Sequence, residues 1–88
     1  MPKILVVDDD PAISEMLTLV LEGEGFDPVA VMDGSEAVSA FEREDPDLIL
    51  LDLMLPGING IDICRTIRET STVPIVMLTA KTDTVDVV

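Results

Sequence analysis

Leu48-Ile49-Leu50-Leu51-Asp52-Leu53-Met54-Leu55-Pro56-Gly57 is the stretch on which the reading of the fold turns. Four large apolar residues follow one another without polar alternation, then comes a lone carboxylate, then a segment closed by Pro-Gly. A short unbroken apolar run bounded by turn residues is the pattern of a strand covered on both faces, as in a parallel sheet. An ionised Asp at the end of such a strand needs compensation, because an unpaired buried charge is costly. Asp52 is therefore expected where a buried strand surfaces, facing something positive.

The flanking chain repeats the theme. Lys3-Ile4-Leu5-Val6-Val7 is a β-branched apolar run and reads as a buried first strand, ending in Asp8-Asp9-Asp10-Pro11. Pro11 suits the first helical position and Asp10 the N-cap, where a carboxylate accepts a free backbone N–H. Ile13, Met16, Leu17, Val20 and Leu21 keep helical spacing and predict the buried face of a first helix. Gly23 and Gly25 end it, with Phe26 as the apolar residue beyond the cap. Val29-Ala30-Val31, after Pro28, predicts a short second strand at a sheet edge.

Asp33-Gly34-Ser35-Glu36 has capping-box spacing, and Ala37, Val38 and Phe41 supply the inner face of a second helix ending near Glu44-Asp45-Pro46. Ile61 to Arg68 predicts a third helix with Ile63, Cys64 and Ile67 inward. Pro74-Ile75-Val76-Met77-Leu78 predicts a fourth strand ending at Thr79-Ala80, and Thr82 to Val88 reads as the start of another helix. Met16, Met54 and Met77 are read as packing residues. Alternating strands and helices with short connections imply right-handed crossovers and a parallel, doubly wound α/β sheet, in one domain over residues 1–88.

Composition narrows the function. The 88 residues carry 18 acidic and five basic side chains, a formal charge of −13, which disfavours direct binding to nucleic acid or an anionic membrane. With no His there is no imidazole base or ligand. The single Cys64 excludes an intrachain disulfide and reads as a small buried hydrophobe. No apolar run approaches 18 residues and no signal-peptide pattern precedes the first strand, so a cytoplasmic setting is expected.

In an open parallel sheet, ligands bind beyond the carboxyl ends of the strands, where strand order reverses. Asp8 and Asp9 close the first strand, Asp52 the third and Thr79 the fourth. If the first and third strands are neighbours, three carboxylates and a hydroxyl meet, and the carboxylates must share a proton or a cation. A hard, oxygen-bound cation such as Mg²⁺ suits them, and a carboxylate beside such a cation is a competent nucleophile toward phosphorus. Each residue also has an ordinary structural role. Asp10 is assigned to capping, Asp52 could be a turn residue, and Thr79 could be a strand-end Thr.

VVDDD, LLDLMLPGING and PIVMLTA together resemble the receiver domain of bacterial two-component response regulators, of the OmpR/PhoB group, over essentially the whole chain. The resemblance implies a flavodoxin-like (receiver) fold with strand order 2-1-3-4. It implies that Asp52 is the phosphoacceptor, that Asp9 ligates Mg²⁺ directly and Asp8 through water, and that Met54 offers its backbone carbonyl. Thr79 would hydrogen-bond the phosphoryl oxygen, Ala80 would stand near the entering group, and Pro56 and Gly60 would shape the segment after Asp52. A sensor histidine kinase would be the phosphodonor, and DNA would be reached only through an output domain absent from this chain.

The family's further helix, fifth strand and fifth helix are not matched, nor is the Lys that follows the fifth strand; Lys81 does not fit that motif position. The resemblance therefore implies a receiver domain truncated at its C-terminal end. An uncovered fourth strand is then expected to favour homodimers or domain-swapped oligomers. Two other functions fit parts of the same pattern: a phosphorylation-independent interaction module, and an aspartate-nucleophile phosphohydrolase. The latter needs an acid/base two residues after the nucleophile, where Met54 stands.

Overall fold

Alternation of buried and half-buried residues along the strands organises the molecule. In the computed structural model, which describes residues 1–52 and 58–78 and the backbone of 85–87, β1 (Lys3–Val7) pairs in parallel with β2 (Asp27–Val31) on one side and β3 (Leu48–Asp52) on the other. β4 (Ile75–Leu78) continues the parallel sheet beside β3. The order β2-β1-β3-β4 is the expected one, with Pro28 tolerated because β2 is an edge strand.

One face of the sheet presents Leu5, Val7, Ile49, Leu51, Ile75 and Met77 to α2 (Ala37–Glu44) and α3 (Gly60–Arg68). Ala37, Ala40, Phe41, Ile63, Cys64 and Ile67 close over it, all buried, and Val38 is half-buried against them. Full burial of each large aliphatic side chain here contributes about 1.5–3 kcal/mol. The opposite face carries Ile4 and Val6, buried, and Leu48, Leu50, Val76 and Leu78, half-buried. α1 (Pro11–Gly23) contacts β1 and β2 on this side.

Capping follows the sequence closely at α1. Asp10 accepts from Ala12 N at 2.9 Å and Ile13 N at 3.4 Å, with Pro11 opening the helix. At the other end Phe26 N donates to Leu21 O and Gly25 N to Glu22 O, with Gly25 at φ +89°, a Schellman turn. At Asp33 the expectation needs correction. Its carboxylate caps a 3₁₀ turn (Gly34–Glu36) through Ser35 N and Ser35 Oγ, and α2 starts after that turn with no side-chain cap.

Two further expectations are overturned. Ile13, Met16 and Val20, expected inward, are 39%, 54% and 56% exposed, while Ser14 is buried and Leu17, Thr18 and Leu21 are half-buried. The apolar arc of α1 is wider than its contact with the sheet. The helix is rotated so that Ser14 is covered, which leaves the other flank of the arc open. The helix expected from Thr82 is replaced over Val85–Val87 by β5, antiparallel to β4 with Leu78 opposite Val85 and Val76 opposite Val87. The expected bare edge of β4 is thereby paired. An open strand edge is a template for any β-competent segment, and alternating Val85 and Val87 supply one.

Candidate functional site

Parallel registration of β1 with β3 builds the site. Val7 lies opposite Leu51, both essentially without solvent exposure, so the next residue of each strand, Asp8 and Asp52, emerges side by side at the carboxyl edge. By the two-residue period of strands, both carboxylates stand on the face shared by Val6 and Leu50. On the other side Asp52 registers with Leu78 of β4, the last described residue before Thr79.

Asp8 is 3% exposed and Asp52 9%, while Asp9 is exposed. One carboxylate oxygen from each of Asp8, Asp9 and Asp52 lies within 4.8 Å of the others, the spacing of a set that can hold one metal ion. Asp8 N donates to Val31 O, and Asp8 Oδ1 accepts from Asp10 N at 2.9 Å, which fixes the turn into α1. Burial pushes the Asp8 carboxyl above the usual carboxylate range. The Asp10 N–H opposes that shift, and the nearby charges of Asp52, Asp9 and Asp10 add to it.

The sequence thus located all three carboxylates, and the structure brings them together, with Asp10 given to capping as expected. Thr79, Ala80, Met54, Pro56 and Lys81 lie outside the described residues. Gly60 is buried as the first residue of α3, behind Asn59, whose Oδ1 accepts from Ile61 N at 2.8 Å; it is a helix position. Besides Asp8 and Asp52, Ser14 is the other buried polar side chain among the described residues. A single Ser inside an apolar arc carries no chemical signal in the sequence; its helical spacing to Leu17 and Leu21 is the available clue.

A donor set of carboxylate oxygens only, two of them buried and one exposed, fits a hard divalent cation such as Mg²⁺ and does not fit a thiolate- or imidazole-seeking metal. Three ionised carboxylates at this spacing also repel strongly enough to favour such an ion. The site can therefore bind a cation, share a proton, or offer a carboxylate oxygen as nucleophile.

Comparison with known proteins gives a consistent family. Residues 4–88 match the model of the response regulator receiver domain. The DNA-binding response regulator MtrA of Mycolicibacterium smegmatis is 69% identical over 86 residues, covering 98% of this chain and 38% of that protein. The transcriptional regulatory protein CseB of Streptomyces coelicolor is 47% identical, covering 97% and 36%. The chain thus spans under two fifths of the length of these relatives. The response regulator TrrA of Thermotoga maritima, in complex with Mg²⁺–BeF, superposes with a TM-score of 0.87 at 38% identity, covering 93% of this chain and 72% of that one. The BeF3-activated receiver domain of Klebsiella pneumoniae RstA gives 0.85 at 41% identity, covering 89% and 67%.

Proposed function

The chain belongs to the response regulator receiver domain family, and on that premise we propose that Asp52 is its phosphoacceptor, taking a phosphoryl group from a sensor histidine kinase. The observation that carries this is the meeting of Asp8, Asp9 and Asp52 at the ends of two neighbouring parallel strands, with Asp52 largely shielded from water. An Asp52 carboxylate oxygen forms the new P–O bond as the P–N bond to the donor imidazole breaks. The imidazole nitrogen keeps the electron pair and takes a proton from solvent.

Asp9 and Asp52, with Asp8 beside them, would hold Mg²⁺, whose chemistry is to neutralise charge on the phosphoryl oxygens. Asp8 is also the group that burial and its neighbours push toward protonation, so it can hold the shared proton when no cation is bound. Val7 and Leu51, buried immediately beneath, restrain both strand ends and hold the nucleophile oriented. Met54 and Thr79 are proposed in the family roles, a backbone carbonyl toward the metal and a hydroxyl toward the phosphoryl group. The modified Asp52 would then bias a surface read by an output domain, in the relatives a DNA-binding one by name. We place this signalling in the cytoplasm; among the described residues no helix is long and apolar enough to cross a membrane.

Acetyl phosphate with Mg²⁺ is expected to add one phosphoryl mass to the intact protein, and Asp52→Asn to remove that addition. A protein that stays unmodified under these conditions, or an Asp52→Asn variant still modified at equal rate, overturns the assignment.

A further inference from the structure

Asn59 carries the only side-chain amide in the chain, which has one Asn and no Gln. It is the N-cap of α3 and is followed directly by Gly60, the first residue of the helix. Asn59 is exposed to water, while Gly60 is buried. A glycine in that place leaves its backbone nitrogen uncrowded, since no Cβ stands between it and the preceding side chain. The N–H of a first helical residue also has no acceptor within the helix. An electrophilic amide carbon, a nitrogen that can close on it in a five-membered ring, and water therefore meet at this one peptide.

We propose that Asn59-Gly60 is a self-modification site, converting to an aspartate or an isoaspartate at a rate set by opening of the first turn of α3. The Gly60 nitrogen bonds to Asn59 Cγ as the Cγ–Nδ2 bond breaks, and ammonia leaves with the bonding electron pair and the Gly60 proton. Water then opens the cyclic imide at either carbonyl. Opening at Cγ gives an aspartate. Opening at the main-chain carbonyl gives an isoaspartate, which adds one carbon to the backbone seven residues after Asp52.

The folded geometry holds this reaction back. Asn59 has ψ 125°, which turns Gly60 N away from the Asn59 side chain. Ring closure rotates the peptide about the Asn59 Cα–C bond, and three hydrogen bonds are lost. Ile61 N donates to Asn59 Oδ1 at 2.8 Å, and Asp62 N and Ile63 N donate to Asn59 O at 3.0 and 3.2 Å. Their loss leaves the reactive form at roughly one molecule in a hundred. An aspartate product keeps the cap and adds a charge favourable at a helix N-terminus, whereas the longer isoaspartate backbone removes the cap. No residue of the acidic pocket takes part, so this inference and the phosphoacceptor reading stand or fall separately.

The test incubates the 88-residue chain at mildly alkaline pH, folded and in guanidinium chloride beyond its unfolding transition. Intact mass follows the change from amide to carboxyl. With a single side-chain amide that change reports Asn59 alone, and isomerisation at Asp33-Gly34 leaves the mass unaltered. The folded chain is expected to convert roughly a hundredfold more slowly than the unfolded one, in step with hydrogen exchange at the Asp62 and Ile63 amides. Gly60→Ala, measured in denaturant where its effect on folding plays no part, is expected to slow conversion about tenfold by crowding the attacking nitrogen. Peptide mapping with an isoaspartate methyltransferase should find both products at position 59. A folded chain converting as fast as the unfolded one, or less than about a thousandth as fast, overturns the proposal. So does a rate that ignores the exchange of Asp62 and Ile63, or a Gly60→Ala chain that converts like the parent.

Discussion

Replacing Asp8 with Asn removes one charge from the acidic pocket and almost nothing else. The amide keeps an Oδ1 that can accept from Asp10 N, now at 2.9 Å, so the turn into α1 is preserved. Three carboxylates with oxygens within 4.8 Å make three repulsive pairs. At that separation each pair costs about 1 kcal/mol in bulk water and about 3.5 kcal/mol at an effective dielectric near 20. Asp8 takes part in two of the three. Because Asp9 is exposed, the lower figure is the safer guide, and Asp8→Asn should stabilise the metal-free protein by about 2 kcal/mol.

For a domain of this size that raises Tm by roughly 8–16 °C. Mg²⁺ should act in the opposite sense between the two proteins. At a hundredfold excess over its Kd it stabilises the parent by about 2.7 kcal/mol, and the variant, short of one carboxylate charge in the pocket, should gain well under half of that. Thermal melts of both proteins in EDTA and in Mg²⁺ decide the matter. A variant no more stable than the parent in EDTA, or one keeping the full Mg²⁺ gain, would refute the convergence of charge on which the site rests.

In EDTA, the parent should become more stable as pH is lowered from neutral. Asp8 has a folded-state pKa above its unfolded one, so its contribution is complete below the unfolded value and lost as pH rises through the folded one. Asp33 and Glu44, held low by Ser35 and by Arg43 with Lys3, contribute above their unfolded values and are lost as pH falls through the lowered ones, so the gain should turn over in strong acid; Tm against pH reads both limbs. Gly23→Ala, in the last turn of α1 with open space around it, should stabilise by about 0.5–1 kcal/mol, whereas Gly25→Ala should destabilise by about 1–2 kcal/mol because φ is +89°; urea denaturation distinguishes the signs. Asp10→Ala should cost about 0.5–2 kcal/mol by the same assay without altering Mg²⁺-dependent stabilisation, since Asp10 caps α1 and stands outside the three-carboxylate set.

The parallel sheet and its acidic pocket were legible because both depend on patterns that strands cannot hide. Leu48 to Leu51 is apolar on both faces only in a covered strand, and an Asp at the end of each of two such strands can hardly avoid its neighbour once they pair. Helix rotation was less legible. In α1 the apolar residues Ile13, Met16, Leu17, Val20 and Leu21 span an arc wider than one contact, and periodicity alone does not say which edge meets the sheet. The buried edge is the one that carries Ser14, a polar residue that a hydropathy pattern places outside. Residues 85–87 were illegible for another reason: Val-Asp-Val satisfies a strand or a first helical turn, and the open edge of β4 selects the strand.

The ladder that stabilises the sheet is also what keeps the pocket under electrostatic stress. Val7 and Leu51 are paired, buried and packed into the core, so Asp8 and Asp52 cannot move apart without pulling hydrophobic residues into water. Exposing even one such side chain costs about 1.5–3 kcal/mol, comparable with the repulsion it would relieve. Rearrangement therefore offers the carboxylates no easy escape, and a proton or a cation from solution relieves the repulsion among them. A site held in that condition responds to what binds it, and a charge added at Asp52 is felt first by the strands that hold the carboxylates together.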